Sequence, residues 1–223
     1  MFAEVAACRR CPRLVAYCAS FKQVEKGRGA RTVYWAKPVP GFGDPDAELL
    51  IIGLAPGAHG ANRTGRPFTG DAAGEVLYRA LHRHGFGNVA SVSHRDDGLL
   101  LRNVYITNAV KCAPPGNRPS GAEKRACLDW LAQEVVRLKR VRVVLAMGKD
   151  AFDAYLRLLK AEGKIPALRA CRFAHGEVYR FEGDARALLA SYHFSRYNMN
   201  TGVLTEEMVE RLFGQAEALL AQR

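Results

Sequence analysis

The sequence of residues 49–74, LLIIGLAPGAHGANRTGRPFTGDAAG, places a short apolar run directly before a glycine-rich loop. An amphipathic pattern follows the loop from about residue 71 to residue 84, so the layout predicts a buried strand, a loop and a helix. Glycines alone fit an ordinary surface loop. This loop also carries His59, Asn62, Arg63, Arg66, Phe68 and Asp71. Because open α/β sheets bind ligands at the carboxyl ends of their strands, these side chains favour a functional site.

The remaining chain alternates apolar strands with amphipathic helices. Core strands are predicted at 48–53, 104–110, 141–147 and 187–192, an edge strand at 177–181, and helices at about 72–84, 121–139, 149–162 and 205–221. Residues 26–47 and 86–101 are predicted as loops. This alternation predicts a three-layer α/β/α sandwich around a central, mostly parallel four-stranded sheet. Four strand ends, at Gly53, Asn108, Gly148 and His193, would then meet at one edge.

The length and net charge of the chain indicate how many domains it has and what kind of partner it binds. A chain of 223 residues fits one domain over residues 1–223, with a cysteine-bearing N-terminal segment at about 1–25. No apolar run approaches the roughly 20 residues of a membrane span, and the first residues lack the pattern of a signal peptide, which predicts a cytoplasmic protein. The formal net charge of +11 indicates a polyanionic partner such as nucleic acid. Nothing in the sequence demands more than a monomer.

Six cysteines in a reducing compartment are not expected to form disulfides. Cys8 and Cys11 form a CxxC motif that has no second CxxC, and Cys112 and Cys127 are the other candidate ligands. Four thiolates suit zinc and an iron–sulfur cluster equally well, and the spacing leaves both open.

Four residues at the predicted sheet edge have both a structural and a functional interpretation. His193 ends a strand, and Asn108 is an amide in an apolar strand that needs a partner or a ligand. Phe68 is either core filler or a surface on which a base stacks. Asp71 precedes a predicted helix, where aspartate is a common N-cap.

At these positions the chain resembles the family 5, or type B, uracil-DNA glycosylases. The resemblance rests on residues 53–60 (GLAPGAHG), 62–71 (NRTGRPFTGD), 110–115 (VKCAPP) and 191–196 (SYHFSR), and it extends from Cys8 to the last helix. It implies a DNA-repair hydrolase that removes uracil and other deaminated bases, such as hypoxanthine and xanthine, and leaves an abasic site. It also implies a [4Fe–4S] cluster held by Cys8, Cys11, Cys112 and Cys127, with Cys18 and Cys171 as bystanders.

The resemblance further implies roles for the site residues. The target nucleotide would leave the base stack and enter a pocket where His59, Phe68 and Asn108 bind the base. Asp71 would stabilise an oxocarbenium-like sugar and orient water, and His193 would donate a hydrogen bond to O2 of the departing uracil. Because uracil is a tolerable anionic leaving group, a second carboxylic acid is not required.

DNA contacts are implied for Asn62, Arg63, Arg66, Ser195 and Arg196, with the segment from Arg196 to Asn198 as a wedge in the minor groove. Other branches of the superfamily carry a polar residue where this chain has Leu54-Ala55-Pro56. The resemblance therefore implies that Asp71 takes over the catalytic role of that residue here. Three alternatives remain. One is a family 4 glycosylase, against which Ala55 and Asp71 argue, and another is a noncatalytic iron–sulfur protein that binds DNA. The third is an iron–sulfur redox or sensor protein, which would not need Phe68, Asp71 and His193.

Overall fold

The chain folds around a central β-sheet, seen in a computed structural model that describes residues 3–26 and 30–222. The strands are β1 (Gln23–Lys26), β2 (Ala30–Val33), β3 (Phe42–Gly43), β4 (Leu49–Gly53), β5 (Val104–Asn108), β6 (Val143–Met147), β7 (Val178–Phe181) and β8 (Asp184–Ser191). The helices are α1 (Pro12–Ser20), α2 (Ala61–Thr64), α3 (Ala72–Arg83), α4 (Gly121–Arg137), α5 (Lys149–Ala161), α6 (Arg196–Asn200) and α7 (Glu206–Ala221). Short 3₁₀ turns lie at Ala3–Ala7, Pro115–Asn117 and Leu168–Ala170.

The central sheet has six strands in the order β3–β5–β4–β6–β8–β7. Its four inner strands are parallel, and β3 and β7 pair antiparallel at the two edges. The mostly parallel sheet and the edge strand β7 are confirmed, whereas a sheet of only four strands is wrong. Strand β3 was missed because two residues are too few to show a strand period.

Helices cover both faces of the sheet. Along β4, Leu50 and Ile52 pack into the same core as helices α4 and α5, whereas Leu49 and Ile51 pack into the core that contains α3 and α7. This alternation follows from the two-residue period of a strand, and it confirms the three-layer arrangement. Among the helices that the structure describes, none is long and apolar enough to cross a membrane.

Several boundaries differ from the sequence prediction. Part of the predicted loop 26–47 belongs to an antiparallel hairpin of β1 and β2 and to β3. Residues 27–29 of that loop lie outside the described residues. Strand β5 ends at Asn108, two residues earlier than predicted, and the backbone then turns so that Ala109 and Val110 bond to the carbonyls of Gly53 and Leu54.

The order of the strands positions the site. The chain leaves β4, passes through α3 and adds β5 on one side of β4; it then crosses through α4 to add β6 on the other side. The connections therefore diverge at the carboxyl end of β4, which creates the crevice where sheets of this kind bind ligands.

Candidate active site

A cavity of about 460 Å³ opens at this crevice. It gathers six of the residues predicted from sequence, namely Phe68, Asp71, Asn108, His193, Ser195 and Arg196. Residues 54–57, 61 and 72–73 supply most of the remaining wall. Asn117, which the sequence prediction missed, also lines the cavity. Its signal was a polar residue in the Pro-Gly turn that follows β5, and therefore near the same edge of the sheet.

Asp71 holds helix α3 with one carboxylate oxygen and lies against the glycine loop with the other. Its Oδ1 accepts a hydrogen bond from the Gly74 backbone N–H at 3.0 Å and caps the helix. A Cβ atom on Gly57 would lie 3.2 Å from its Oδ2, and one on Gly60 would overlap the carboxylate. The N-cap and catalytic interpretations of Asp71 are therefore compatible, because they use different oxygens.

Phe68 and Asn108 approach each other over Gly53. A Cβ atom on Gly53 would lie 2.5 Å from Asn108 Oδ1 and 2.5 Å from the Phe68 ring, so only glycine leaves room for both. Phe68 has a φ of +53°, which is strained for a bulky residue, and the Tyr78 hydroxyl supports this turn by donating to the Pro67 carbonyl at 2.7 Å. The pocket thus presents an aromatic ring and an amide, the two kinds of group that bind an extruded base.

His193 lies on the cavity wall just beyond the end of β8. Burial lowers the pKa of His193, and the Asp71 carboxylate opposes this shift. The imidazole is therefore neutral at pH 7 and has one N–H to donate. The Asn198 side chain fixes the backbone at this point by donating to the His193 carbonyl at 2.8 Å.

The rim beyond His193 is the short helix α6. Ser195 caps it, since its Oγ accepts a hydrogen bond from the Asn198 N–H at 3.2 Å. Arg196 is exposed, and within residues 3–26 and 30–222 its guanidinium has no hydrogen bond or ion pair. Tyr197 is 73% exposed beside it. A free cation and an exposed ring at the mouth of a cavity suit contact with a nucleic-acid backbone.

Two predicted DNA contacts are instead buried in the loop. Arg66 is 2% exposed, and its guanidinium forms two hydrogen bonds with the Asp97 carboxylate at 2.8 and 2.7 Å. Burial would raise the pKa of Asp97, but hydrogen bonds from Arg66 and nearby backbone N–H groups bring that pKa well below its usual range. Asn62 is 0% exposed, and neither atom of its amide has a partner among the described residues. Neither side chain can reach a phosphate in this conformation.

His59 and Arg63 lie on the outer side of the same loop. The Tyr34 hydroxyl is 3.1 Å from His59 Nδ1, and the Phe21 ring meets the imidazole edge-on. His59 is not among the cavity-lining residues that the structure describes, so its predicted contact with the base is not seen. Arg63 Nε donates to the His59 carbonyl at 2.9 Å. These contacts brace the loop around Asp71.

The four candidate ligand cysteines meet behind the cavity. Cys11, Cys112 and Cys127 belong to one apolar group that includes Ala55 of the cavity wall. Burial raises the pKa of Cys127 to about 11, and nearby Cys11 and Cys8 raise it too, whereas Lys111 opposes the shift. Cys8, Cys11 and Cys127 are therefore within electrostatic range of one another, and Cys112 is within range of Cys8 and Cys127. Residues 3–26 and 30–222 contain no group of three or more side chains already arranged around a metal position.

Two of these sulfurs accept hydrogen bonds from N–H groups. The Lys111 backbone N–H donates to Cys127 Sγ at 3.2 Å, and Trp130 Nε1–H donates to Cys8 Sγ at 3.4 Å. Cys18, expected to be a bystander, lies beside Cys112, and its thiol donates to the Ala113 carbonyl at 3.7 Å. The N-terminal segment, the turn after β5 and α4 therefore converge on one group of sulfurs.

Comparison with known proteins agrees with this geometry. The profile of the Uracil DNA glycosylase superfamily matches residues 40–216. A type-5 uracil-DNA glycosylase of Thermus thermophilus is 49% identical over 96% of this chain and 94% of its own length. One from Pyrobaculum aerophilum is 44% identical over 95% and 88%. A type-4 enzyme of the same archaeon is 40% identical, but over only 56% of this chain and 57% of its own length. The chain belongs to the uracil-DNA glycosylase superfamily and, within it, to the type-5 family.

Proposed function

We propose that this protein is a monofunctional uracil-DNA glycosylase of DNA base excision repair, which hydrolyses the bond between uracil and deoxyribose and leaves an abasic site. The observation that carries the proposal is the convergence of Phe68, Asp71, Asn108 and His193 on one cavity. Its volume of about 460 Å³ accommodates a base that has left the duplex. The similarity to type-5 enzymes, which covers at least 95% of this chain, supports the same activity.

The extruded base binds to Phe68 and Asn108, whose side chains approach each other over Gly53. The Phe68 ring stacks on the base, and the Asn108 amide pairs with its edge, since an amide offers a donor and an acceptor side by side. Among the described residues no hydrogen-bond partner competes for the Asn108 amide. The same pocket admits hypoxanthine and xanthine, because one amide can pair with several base edges and most of the wall is apolar.

Cleavage of the glycosidic bond depends on two side chains, the charged Asp71 and the neutral His193. As the glycosidic bond breaks, both of its electrons go to uracil and the sugar becomes cationic. Asp71, through the oxygen that does not cap α3, stabilises this cation and orients a water molecule, whose oxygen bonds to C1′ of the sugar. The neutral His193 donates its N–H to O2 of the departing anion. The proton released by water finally balances the charge on uracil.

The protein binds DNA through its overall positive charge and through residues at the rim of the cavity. Arg196 binds a backbone phosphate, and Tyr197 occupies the space that the extruded nucleotide leaves. In this proposal Arg63 adds a second cationic contact from the outer side of the glycine-rich loop. The excess of 33 Lys and Arg residues over 22 Asp and Glu residues supplies affinity that does not depend on sequence.

Cys8, Cys11, Cys112 and Cys127 hold a [4Fe–4S] cluster in this proposal. An all-sulfur donor set with N–H groups directed at two sulfurs suits such a cluster, and a bound cationic metal centre reverses the rise in thiol pKa that burial causes. When bound, the cluster supplies a structural cross-link between the N-terminal segment, the turn after β5 and α4. Iron and sulfide analysis of the purified protein distinguishes it from zinc.

Cysteines that form no disulfide among the described residues, together with a DNA substrate, suit a protein that works in the cytoplasm. We assign it a monomeric state, because one chain supplies every proposed site residue. Gel filtration at micromolar concentration checks this assignment.

The central experiment is strand scission by alkali after incubation with a uracil-containing oligonucleotide. Asp71→Asn keeps an oxygen that can cap α3 but removes the negative charge, so we expect the excision rate to fall about 100-fold or more. Asp96→Asn makes the same change of charge at an exposed position and serves as the matched control. Binding without scission by the unaltered protein would favour a noncatalytic DNA-binding protein. Equal scission by both variants would keep the enzyme but remove Asp71 from its centre.

A further inference from the structure

A buried ammonium group lies behind the base pocket. Lys111 is 1% exposed and its partner Glu134 is 0% exposed. Lys111 Nζ is 2.6 Å from Glu134 Oε2, 2.6 Å from Thr107 Oγ1 and 2.8 Å from the carbonyl oxygen of Asn108. An ammonium has three N–H donors, and here each donor has an acceptor.

This network has no part in the mechanism above. It lies outside the cavity wall, and its burial prevents contact with DNA. An ion pair of this kind is weak evidence for a contribution to stability, because apolar side chains of similar volume often stabilise a core equally well. Its geometry therefore calls for a different role.

The bond to the Asn108 carbonyl connects the network with the pocket. Side chains alternate along β5, so Thr107 points toward α4 while the Asn108 side chain points toward Phe68 and the cavity. Lys111 thus holds the backbone of the residue whose amide faces the base. On the other side of the strand end, the Ala109 N–H bonds to the Gly53 carbonyl at 2.9 Å.

The backbone of Lys111 is fixed as well. Its carbonyl accepts a hydrogen bond from the Val39 N–H at 2.6 Å, and its own N–H donates to Cys127 Sγ at 3.2 Å. One residue therefore connects the cysteine group, the segment before β3 and the end of β5.

We propose that Lys111 is a positioning residue for base recognition. With Glu134 and Thr107 it fixes the backbone of Asn108, so that the Asn108 amide meets the edge of the extruded base. Glu134 balances the charge of the buried ammonium. Thr107 bridges the two groups, because its hydroxyl accepts a hydrogen bond from Lys111 Nζ and donates one to Glu134 Oε2 at 2.8 Å. The inference rests on the proposed function of Asn108 in binding the base.

The test is a double-mutant cycle of single-turnover uracil excision, with enzyme in excess over a uracil oligonucleotide. One side of the cycle is the paired change Lys111→Met with Glu134→Leu, which leaves the net charge unaltered and fills the space with apolar groups. The other side is Asn108→Ala, and a third protein carries all three changes. Lys124→Met with Asp150→Asn removes an ion pair between α4 and α5 at the surface and is the matched control.

We expect the paired change at Lys111 and Glu134 to keep a cooperative thermal transition but to slow excision by about 10- to 100-fold, the loss caused when the bound base is misplaced by up to about an ångström. The saturating enzyme concentration should stay the same. In the Asn108→Ala background the same paired change should add less than about twofold, because its target is gone. The control pair should excise at the unaltered rate.

Each other outcome decides against the proposal. Independent, multiplying effects of the two changes would show that Lys111 does not act through Asn108. An unaltered rate for the paired change, with Asn108→Ala slow, would overturn the positioning role alone. An unaltered rate for Asn108→Ala would overturn the role of Asn108 and the positioning role together. If the paired variant fails to fold, Thr107→Val, which removes one acceptor of the network, replaces it in the same cycle.

Discussion

Gly60 lies where any side chain would displace the Asp71 carboxylate, to which we assign the central role in bond cleavage. A Cβ atom at this position would lie 2.9 Å from Asp71 Cγ and 3.0 Å from Asp71 Cβ, and nearer still to Oδ2. Ordinary contacts of a Cβ atom begin at 3.4 Å. The φ of Gly60 is −95°, so the left-handed region is not what requires glycine here. A Cβ atom here would collide with the Asp71 carboxylate.

Gly60→Ala should therefore move the Asp71 carboxylate by on the order of 1 Å and slow excision about 100-fold, the cost of such a misplacement in an enzyme site. Gly57→Ala offers a graded comparison, because its Cβ would lie 3.2 Å from Asp71 Oδ2 and would need a shift of only a few tenths of an ångström. We expect a loss of less than about tenfold there. Gly214→Ala in α7 meets nothing within 4 Å and is the control.

The assay is single-turnover excision from a uracil oligonucleotide, with thermal unfolding measured in parallel. The order of rates should be Gly214→Ala, then Gly57→Ala, then Gly60→Ala, with folded protein in each case. A Gly60→Ala variant that excises as fast as the control would refute the placement of Asp71 Oδ2 against this loop. Equal losses at Gly57 and Gly60 would show that loop conformation, rather than contact with the carboxylate, sets the rate.

Three further predictions concern charge. Burial lowers the pKa of His193 from its ordinary value of 6.5, so the ring stays neutral above that pH. The excision rate should therefore be constant between pH 7 and 8 once DNA is saturating. A rate that rises as the pH falls through this range would show that the imidazolium, and not the neutral ring, assists departure of the base. Below pH 6.5 the unfolded chain binds a proton at His193 more readily than the folded chain does. The free energy of unfolding should therefore fall more steeply with decreasing pH in the unaltered protein than in His193→Gln. Urea unfolding at pH 7.5 and 5.5 measures this difference. Asp97→Asn leaves the buried Arg66 guanidinium without its counter-ion, which should cost about 3 kcal/mol and roughly 10 °C in Tm, whereas Asp46→Asn at an exposed position should not change Tm.

Much of this architecture could be predicted from the sequence because strands and helices have a period. The apolar runs at β4, β5, β6 and β8 and the helical patterns of α3, α4, α5 and α7 each appear within a short window of residues. The convergence of Asp71, Asn108 and His193 followed from the rule that parallel strands end at one edge. Strands β1, β2 and β3 carry no such period: β2 and β3 fall in the predicted loop 26–47, and most of β1 falls in the N-terminal segment of about 1–25.

The buried charges could not be predicted in this way. A charged residue is normally exposed, so Arg66 in a glycine-rich loop suggested a phosphate contact. Its partner, Asp97, stands 31 residues away in a loop without any pattern. Lys111 and Glu134 are separated by 23 residues, and only the packing of α4 against the end of β5 brings them together. Pairs of this kind depend on tertiary structure, which a local pattern does not contain.

The arrangement of charge in the cavity follows from the same geometry. The N-terminus of α3 stabilises negative charge through its unpaired N–H groups, and Asp71 uses one oxygen for that contact, which orients the other. The neutral His193 lies near enough to feel this carboxylate without adding a charge of its own. In the proposed mechanism, a negative group therefore stabilises the cationic sugar, and an uncharged N–H stabilises the anionic base. Were His193 protonated, its charge would attract Asp71 and weaken the stabilisation of the sugar, so the burial that keeps the imidazole neutral also keeps the carboxylate available.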